Sequence, residues 1–317
     1  MTPHPAPDAS VILPTRDRAA GLTGVLDRLA AQQTGGRFTF EVLVVDNAST
    51  DDTRAVAEAR QAGFPVPLRC LVEPRPGKSW ALNTGIQQAR GAWLVFLDDD
   101  IITPPGWLAA LWRCAAEEQA DAVTGRVVPQ WDGPLPAWLA DAGSHHVNQM
   151  GVGCIDHGPS RRRTAEGHDC RWVGGNLAIR REQVLAIGGF NTDLARGQDS
   201  DYYSRCVERG LRIVYEPAAT ASHRVGAERL TPGALRRWRH RQGHFEAMLL
   251  PWKSSHVLTV MPLWRWRTTL MALAAWVAAV ARRGSRWERF YAELKLREQL
   301  GAWAYRLSRW PGRRTHG

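Results

Sequence analysis

The sequence predicts an α/β protein built around a mainly parallel sheet. Short apolar runs alternate with helix-like segments over the first hundred residues, a pattern typical of strand–helix–strand units. Several of these apolar runs end in acidic residues, and no internal repeat interrupts them. The composition, 44% hydrophobic and 23% charged, is that of an ordinary globular protein and excludes disorder or a fibrous structure for the chain as a whole.

Four strands and three helices account for the first hundred residues. In order, we predict a strand at 10–13, a helix at 18–32, a strand at 40–45, a helix from Thr53, a strand at 68–72, a helix at 79–89 and a strand at 93–97. The second and fourth strands, FEVLVV and WLVFL, are continuous apolar runs, as expected when both faces of a strand are buried. In the first helix, Leu22, Val25 and Leu29 recur at helical spacing.

The pattern is less regular after residue 100. We predict a helix at 105–118, a strand at 122–128, an ordered stretch at 172–180, a helix from Glu182, a helix at 199–209 and a strand at 211–215. Residues 141–169 are rich in Gly, His and Arg and have little periodicity, which predicts a mobile loop or lid. A domain boundary is expected near Gly226.

Polar residues follow the predicted strands at places that should lie together. The triplet Asp98–Asp100 ends the fourth strand, Asp46 ends the second, and Thr15 follows the first. Because the carboxyl ends of parallel strands share one edge of a sheet, this edge is the expected ligand site. Three adjacent carboxylates repel one another unless a cation joins them, and a divalent cation that bridges substrate phosphates is the simplest such partner. Lys78, in PGKS, is a further group for phosphate oxygens.

Seven motifs together resemble the family 2 glycosyltransferases of the GT-A fold. In order they are VILPTRDR, EVLVVDNASTDDT, PGKSWALNTGI, GAWLVFLDDD, WVGGNLAIRR, GGF and GQDSDYYSRCVERGLRIVYEP, over about residues 8–225. The resemblance implies a Rossmann-like, mainly parallel sheet flanked by helices. It divides the chain into a GT-A domain at 1–225, with a nucleotide-binding half at 8–100 and an acceptor and catalytic half at 101–225, and a basic, tryptophan-rich helical region at 226–317.

The resemblance also implies a reaction and the residues that perform it. The reaction is inverting, metal-dependent, hexosyltransferase-type transfer from a nucleoside-diphosphate sugar to a saccharide or lipid-linked acceptor, in cell-surface polysaccharide or glycoconjugate synthesis. The residues matched to donor binding are Pro14, Thr15, Arg16, Asp46, Lys78, Asp98, Asp99, Gly175 and Asn176. Asp100 and His223 match the residues that hold Mn²⁺ or Mg²⁺, and Asp199 and Asp201 match the catalytic segment.

Inverting transfer needs one carboxylate to accept the proton of the attacking hydroxyl. Asp199 is the residue matched to that base. The residue before it is Gln198, where the family usually has Glu, and a neutral amide cannot raise the basicity of the neighbouring aspartate by like-charge repulsion. The departure leaves open which carboxylate is the base.

Two other functions remain open from the sequence. A nucleotidyltransferase would also place acids and a basic residue at a sheet edge, but VILPTRDR offers no glycine before Gly21 for the phosphate loop such enzymes use. The formal charge of +10 raises the possibility of nucleic-acid binding. The excess is concentrated late, because residues 281–317 hold ten Lys and Arg against three Glu, so no nucleic acid is expected at the strand ends.

The C-terminal region combines tryptophans, arginines and one apolar segment. Seven of the fifteen tryptophans lie in the last 66 residues. The apolar run between Arg267 and Arg282 would extend only ~21 Å as a helix, short of the ~30 Å of a bilayer core. We therefore expect peripheral membrane contact through 252–310, with packing against the main domain or a partner subunit as an equal alternative.

The five cysteines are widely spaced and odd in number, which indicates reduced thiols rather than a disulfide framework. Because MTPHPAPDAS has neither a basic leader nor an apolar core, we expect a cytoplasmic protein, acting at the inner face of the cell membrane if the C-terminal region binds lipid. Cys154, His157, His168 and Cys170 are zinc-ligand types, but their spacing matches no known finger and favours isolated polar residues in a loop.

Overall fold

The structure is a computed structural model, and it describes residues 6–140, 153–172, 175–194, 196–249 and 261–309. The chain forms two compact units. The first contains Met1–Gln130 and Gly153–Arg224, and the second contains Trp131–Val152 and Val225–Gly317. The first part of the predicted lid, as well as Gly174, Trp252 and Trp310, lies outside the described residues.

Nine strands of the described residues form one mixed sheet. They are β1 Ala9–Thr15, β2 Phe40–Asp46, β3 Leu68–Val72, β4 Trp93–Phe96, β5 Ile101–Ile102, β6 Ala122–Trp131, β7 Arg162–Arg163, β8 Leu177–Arg180 and β9 Ile213–Val225. The sheet order is β3-β2-β1-β4-β8-β6-β9-β5, and β7 pairs with β9. The pairs among β3, β2, β1 and β4 are parallel, whereas β4–β8, β8–β6, β9–β5 and β9–β7 are antiparallel. The α/β class is confirmed, and the parallel part of the sheet is its N-terminal half.

Helices cover both faces of the sheet in the first unit. They are α1 Ala19–Ala30, α2 Thr53–Ala59, α3 Lys78–Gln88, α4 Trp107–Glu117, α6 Arg181–Ile187 and α7 Gln198–Glu208; α5, Ala137–Ala140, belongs to the second unit. Alternate residues of β1 enter two different cores, because Val11 and Leu13 pack with α1 and α4 while Ile12 packs with α3 and α7. Because both faces of these strands are buried, their sequences are unbroken apolar runs.

The close packing of α3 against the sheet determines where the first residue of that helix lies. A Cβ atom on Gly85 would lie 2.4 Å from Cγ2 of Ile12, so only glycine permits this close approach. The first residue of α3 is Lys78, and it is preceded by Gly77 at φ 139°. Two glycines of PGKSWALNTGI, Gly77 and Gly85, thus help to position Lys78 at the end of the sheet.

Two strands differ from the predictions in an instructive way. β1 continues through Pro14 to Thr15; its pairing with β4 stops at Ile12, so the N–H that proline lacks is not needed on that side. β9 extends from Ile213 to Val225, ten residues beyond the predicted end at Tyr215. The extension pairs with β5, which was not predicted at all.

The described part of the predicted lid, residues 153–169, is held by ion pairs. Arg161 contacts Glu117, Glu118 and Glu216 at 2.7, 3.1 and 2.6 Å, and Arg163 contacts Glu118 at 2.7 Å. Glu216 is buried. The other charged groups of these pairs are partly or largely exposed, and the pairs join the segment to α4 and β9. The mobile lid stays a prediction.

The second unit is mainly helical. Its long helices are α8 Pro232–Leu249, α9 Leu263–Ala281 and α10 Arg286–Ser308. Cβ atoms on Gly243 and Gly301 would lie 1.6 and 1.8 Å from backbone carbonyl oxygens of α10 and α8, so the two helix backbones touch. Arg236–Glu293 and Arg239–Glu298 pairs join the same helices. Among the described residues, no helix is both long and apolar enough to cross a bilayer.

Candidate active site at the carboxyl edge of the sheet

A cavity of about 330 Å³ opens where β1, β2 and β4 end. The residues that line it are Pro14, Thr15, Arg16, Arg18, Asn47, Gly77, Lys78, Asp98, Asp99 and Asp100. They come from the end of β1, from the loops that follow β1, β2 and β4, and from the N-cap and first residue of α3. The structure thus brings most of the predicted donor residues to one place.

The three adjacent aspartates have three different partners. Nζ of Lys78 lies 2.7 Å from the carboxylate of Asp98, and Oγ1 of Thr15 donates to Oδ2 of Asp99 at 2.7 Å. Nε2 of His223 lies 3.0 Å from Oδ2 of Asp100. Each carboxylate is therefore stabilised from a different side, which is how three neighbouring acids can share one loop.

The pKa values of Lys78, Asp99 and Asp100 are shifted by burial and by the neighbouring charges. Burial disfavours the charged form of Lys78, but Asp98, Asp199 and Asp100 outweigh that effect and hold its pKa above the usual value. Burial raises the pKa of Asp99. For Asp100, burial is outweighed by the hydrogen bond and charge of His223, and the pKa is lowered.

Arg18 is a cavity residue that sequence reasoning missed. Its Nε lies 3.3 Å from Oδ1 of Asp99, and its Nη2 lies 3.7 Å from Oδ2 of Asp100. The predicted Arg16 also lines the cavity, but its nearest acid is the exposed Asp17 at 3.5 Å. The signal was present in the sequence, because VILPTRDR places two arginines in the loop after β1.

The loop after β1 is held by side chains of the loop after β2. Asp17 has φ 50°, and its carboxylate accepts from the backbone N–H of Thr50 at 2.7 Å and the hydroxyl of Thr50 at 3.1 Å. The backbone N–H of Arg18 donates to Oγ1 of Thr53 at 2.7 Å. These residues of the DNASTDDT motif therefore shape the cavity wall.

Asn47 also lines the cavity, and the sequence analysis did not predict it as a site residue. Its amide nitrogen donates to the carbonyl of Arg75 at 2.7 Å, and its Oδ1 accepts from the backbone N–H of Gly77 at 2.7 Å. These bonds set the loop that leads into Lys78. The neighbouring Asp46 is buried at the end of β2, and its Oδ1 has no hydrogen-bond partner among the described residues. Asp46 does not line the cavity.

A much smaller cavity, about 10 Å³, shares Lys78 and Asp98 with the first. Gly175 and Asp199 also line it. Gly175 has φ +102°, and a Cβ atom there would lie 2.6 Å from the backbone nitrogen of Asp98, so this loop can approach the acidic triplet only through glycine. Asp199, in the first turn of α7, lines the same cavity as Lys78 and Asp98.

Four predicted residues line neither cavity: Asp46 and His223, which are buried, and Asp201 and Asn176. The carboxylate of Asp201 is paired with Arg205 at 2.9 Å, four residues later on α7. The side chain of Asn176 is fully buried; it accepts from Nε1 of Trp107 at 2.9 Å and donates to the carbonyls of Arg126 and Ala219 at 3.0 and 2.9 Å. Its amide is therefore used inside the protein.

His223 reaches Asp100 because β9 pairs with β5, which places His223 opposite Ile101. The ring is buried, and its Nδ1 has no hydrogen-bond partner among the described residues. Within the described part of the chain, no three His, Cys, Asp or Glu side chains form a group able to hold a metal, and this includes the Cys154 and His157 segment. Asp100 and His223 would thus be two protein ligands, with the others supplied from outside.

Comparison with known proteins identifies the family. The model of glycosyl transferase family 2 matches residues 10–181, more than half of the chain. The chain belongs to glycosyl transferase family 2. Membership in this family favours sugar transfer over both alternatives, the nucleotidyltransferase and the nucleic-acid-binding protein.

Several curated members of the family are similar over most of their length. The chain is 26% identical over 240 residues to succinoglycan biosynthesis protein ExoM of Rhizobium meliloti (strain 1021), covering 75% of this chain and 74% of that protein. It is 28% identical over 218 residues to glycosyltransferase AglE of Haloferax volcanii, covering 68% and 67%. This family 2 chain is thus a glycosyltransferase, and one of these relatives is named for succinoglycan biosynthesis.

A solved structure shares the fold. The mannosyltransferase PcManGT from Pyrobaculum calidifontis, solved in complex with GDP-Man and Mn²⁺, superposes with a TM-score of 0.56 at 20% identity, covering 96% of this chain and 76% of that one. The GT-A fold, with helices following at the C-terminus, is therefore confirmed for this family 2 glycosyltransferase.

Proposed function

We propose that this glycosyltransferase moves a hexose, with inversion, from a nucleoside-diphosphate sugar to a saccharide or lipid-linked acceptor. The observation that carries the proposal is the meeting of Lys78, the Asp98–Asp100 triplet and Asp199 around two cavities that share Lys78 and Asp98. Side chains able to bind a diphosphate and a sugar therefore lie next to a carboxylate that can accept a proton. We assign this chemistry to a domain at 1–225.

The larger cavity suits the nucleotide. Its volume, about 330 Å³, is at the lower end of the roughly 300–1,000 Å³ of ligand pockets. Lys78, Arg16 and Arg18 supply cations for phosphate oxygens. Asp98 lines the cavity and is placed to accept a hydrogen bond from the ribose.

The residues present fit a divalent cation at Asp100 and His223. A carboxylate and an imidazole are both ligands for Mn²⁺, and sites of this kind take their remaining ligands from substrate phosphates and water. Nε2 of His223, which lies 3.0 Å from Oδ2 of Asp100, is the ring nitrogen on the side of that carboxylate and would be the metal ligand. When bound, Mn²⁺ or Mg²⁺ would neutralise charge on the diphosphate leaving group. The chain itself supplies Lys78 for the same oxygens.

Asp199 is the proposed base. It lines the small cavity next to Gly175, and its charge contributes to the raised pKa of Lys78. A carboxylate in that position can accept the proton of the acceptor hydroxyl as the hydroxyl oxygen attacks the anomeric carbon. Asp201, by contrast, is paired with Arg205, so we assign it the positioning of the first turn of α7.

The acceptor and the cellular site are inferred from chemistry and relatives. The relatives named for succinoglycan biosynthesis and the PcManGT complex support a nucleotide-sugar donor and a glycoconjugate product. Nucleotide sugars are cytoplasmic donors, so we place the reaction in the cytoplasm, at the inner face of the membrane when the acceptor is lipid-linked. Residues 252–310 are the proposed region for that contact.

A donor screen tests the proposal. The protein is incubated with a panel of nucleoside-diphosphate hexoses and Mn²⁺, Mg²⁺ or a chelator, and the release of nucleoside diphosphate is measured. We expect release from one donor, with metal only. Proton NMR of the product should show the anomer opposite to that of the donor. No release from any donor with either cation, or retention of configuration, would contradict the proposal.

A further inference from the structure

The helix α9 of the second unit carries an exposed apolar surface. Eight of the fourteen large apolar side chains that are exposed in the described residues belong to these nineteen residues. They include Leu263 at 80%, Leu270 at 61%, Met271 at 59% and Val277 at 51% exposure. Isolated exposed leucines are normal on a protein surface, but such a concentration marks a surface that binds something.

The exposed surface is broad. Leu263, Leu270 and Val277 follow one another at seven-residue steps, and Trp266, Leu273 and Val280 form a second row beside them. Exposed residues on the other side of these rows, such as Met271 and Ala274, are also apolar, and the helix contains no acidic residue. A single partner helix covers a narrower stripe. The breadth fits the plane of a bilayer interface better.

Cations stand at the ends of this surface. Arg267 is exposed near the start of α9, and Arg282 and Arg283 follow its end. Arg286 and Arg289, on α10, come next and line a cavity of about 290 Å³ together with Trp276 of α9. Among the described residues, none of these arginines has a carboxylate partner.

We propose that α9 docks this protein on an anionic bilayer, with its exposed apolar face in the interfacial layer and the arginines that follow it on lipid phosphates. Trp264 and Trp266 at the start of the helix suit the head-group level. A second copy of the chain is a poorer occupant, because it would bring like-charged arginines together. This inference rests on the membrane contact proposed above and deepens it by naming the helix and the lipid charge, but it does not depend on the transfer reaction.

Vesicle flotation tests the inference without donor or acceptor. Binding of the full chain is measured to vesicles of phosphatidylcholine alone and to an equimolar mixture with phosphatidylglycerol. We expect binding to the mixture to be at least about tenfold stronger, and to weaken as salt is added. Binding that is equal for the two compositions, or absent for both, would overturn the proposal.

Paired variants separate the helix face from general surface hydrophobicity. Leu270→Glu with Val277→Glu places two charges on the exposed face of α9, and should lower the partition by at least about tenfold. The matched control, Leu185→Glu with Val207→Glu, changes two exposed apolar residues of the first unit and should bind as the unmodified chain does. Equal loss in both variants would contradict the assignment.

Light scattering in the absence of vesicles decides between a bilayer and a second copy. We expect a monomer whose mass is unchanged by Leu270→Glu with Val277→Glu. A dimer that this variant dissociates would show that another copy covers the face, and would overturn the docking proposal. Circular dichroism at matched temperature confirms that each variant is folded, because all four positions are exposed.

Discussion

The two units use charge in opposite ways. At the sheet edge of the first unit, carboxylates and cations face a cavity. Burial raises the pKa of Asp99, whereas charged neighbours outweigh burial at Lys78, whose pKa is raised, and at Asp100, whose pKa is lowered. In the second unit, arginines pair with glutamates between helices, as in Arg236–Glu293, while apolar residues of α9 face outward.

From this difference we infer that transfer takes place at the cavity of the first unit and that the apolar face of α9 is the docking surface. Holding charges out of water is unfavourable, and pairing them offsets the desolvation free energy only in part. A cluster of paired charges around an open cavity therefore indicates that a ligand binds there and adds to the stabilisation. Exposed apolar area is likewise unfavourable in water and implies a partner of the same character. The following changes should affect one region and spare the other.

The largest effect is expected from the proposed base. Asp199→Asn removes the proton acceptor while keeping the size of the side chain, and turnover should fall about a thousandfold with nearly unchanged donor binding. Asp201→Asn is the matched control on the same helix turn, and should lose only the weak pair with Arg205. Steady-state kinetics of the two variants checks this. A larger loss for Asp201→Asn would reverse our assignment.

The next effect concerns Lys78. Lys78→Met keeps the length of the side chain but removes the cation that faces Asp98, and should lower turnover about a hundredfold. Lys295→Met changes a lysine of the second unit that lies over Tyr291, and should leave turnover unchanged. Equal activity of the two variants under saturating donor would contradict a role for Lys78 in transfer.

Gly301→Val should break the second unit selectively. The added side chain would meet the backbone of α8 at His240, and should lower the stability of that unit by about 2 kcal/mol. Gly233→Ala, also in the second unit, meets only the flexible end of Arg237 and is the control. Thermal melting measures stability, and vesicle flotation should fail for Gly301→Val while nucleotide binding persists. Unchanged melting would show that the helices do not touch there.

The smallest effect is a pH dependence at Glu73. The Arg75 side chain, opposed by burial and supported by the Thr84 hydroxyl, lowers the pKa of Glu73 to about 2. The native carboxylate therefore adds stability above its unfolded pKa of 4.5, and this stability is lost as the pH falls toward 2. Urea unfolding should show Glu73→Gln less stable than the native chain at pH 6, with the gap closing toward pH 2. A gap that is constant with pH would contradict this.

The first half of the fold was predictable because its strands are buried on both faces. FEVLVV and WLVFL became β2 and β4 with ends within one residue. The late strand was predicted only to Tyr215, because Glu216-Pro217 resembles a strand end. The true signal was period-two burial of small residues, Ala219 and Ala221, which a propensity argument discounts.

The site was predictable where strand ends determine it. Asp98 to Asp100 and Lys78 meet because parallel strands share an edge. Arg18 and Asn47 were missed because loop geometry, not periodicity, turns them toward the cavity. Asn176 was expected at the donor, but its amide holds Trp107 and two carbonyls, and sequence alone does not say which way a buried amide points.

Calorimetric titration of nucleoside diphosphates, with and without Mn²⁺, tests the central claim most directly: that the cavity beside Asp98–Asp100 is a cation-assisted diphosphate site. The account predicts one preferred base, with binding at least about tenfold tighter in Mn²⁺, and loss of that enhancement in Asp100→Ala. Affinity that is the same with and without the cation, or an enhancement that survives Asp100→Ala, would contradict it.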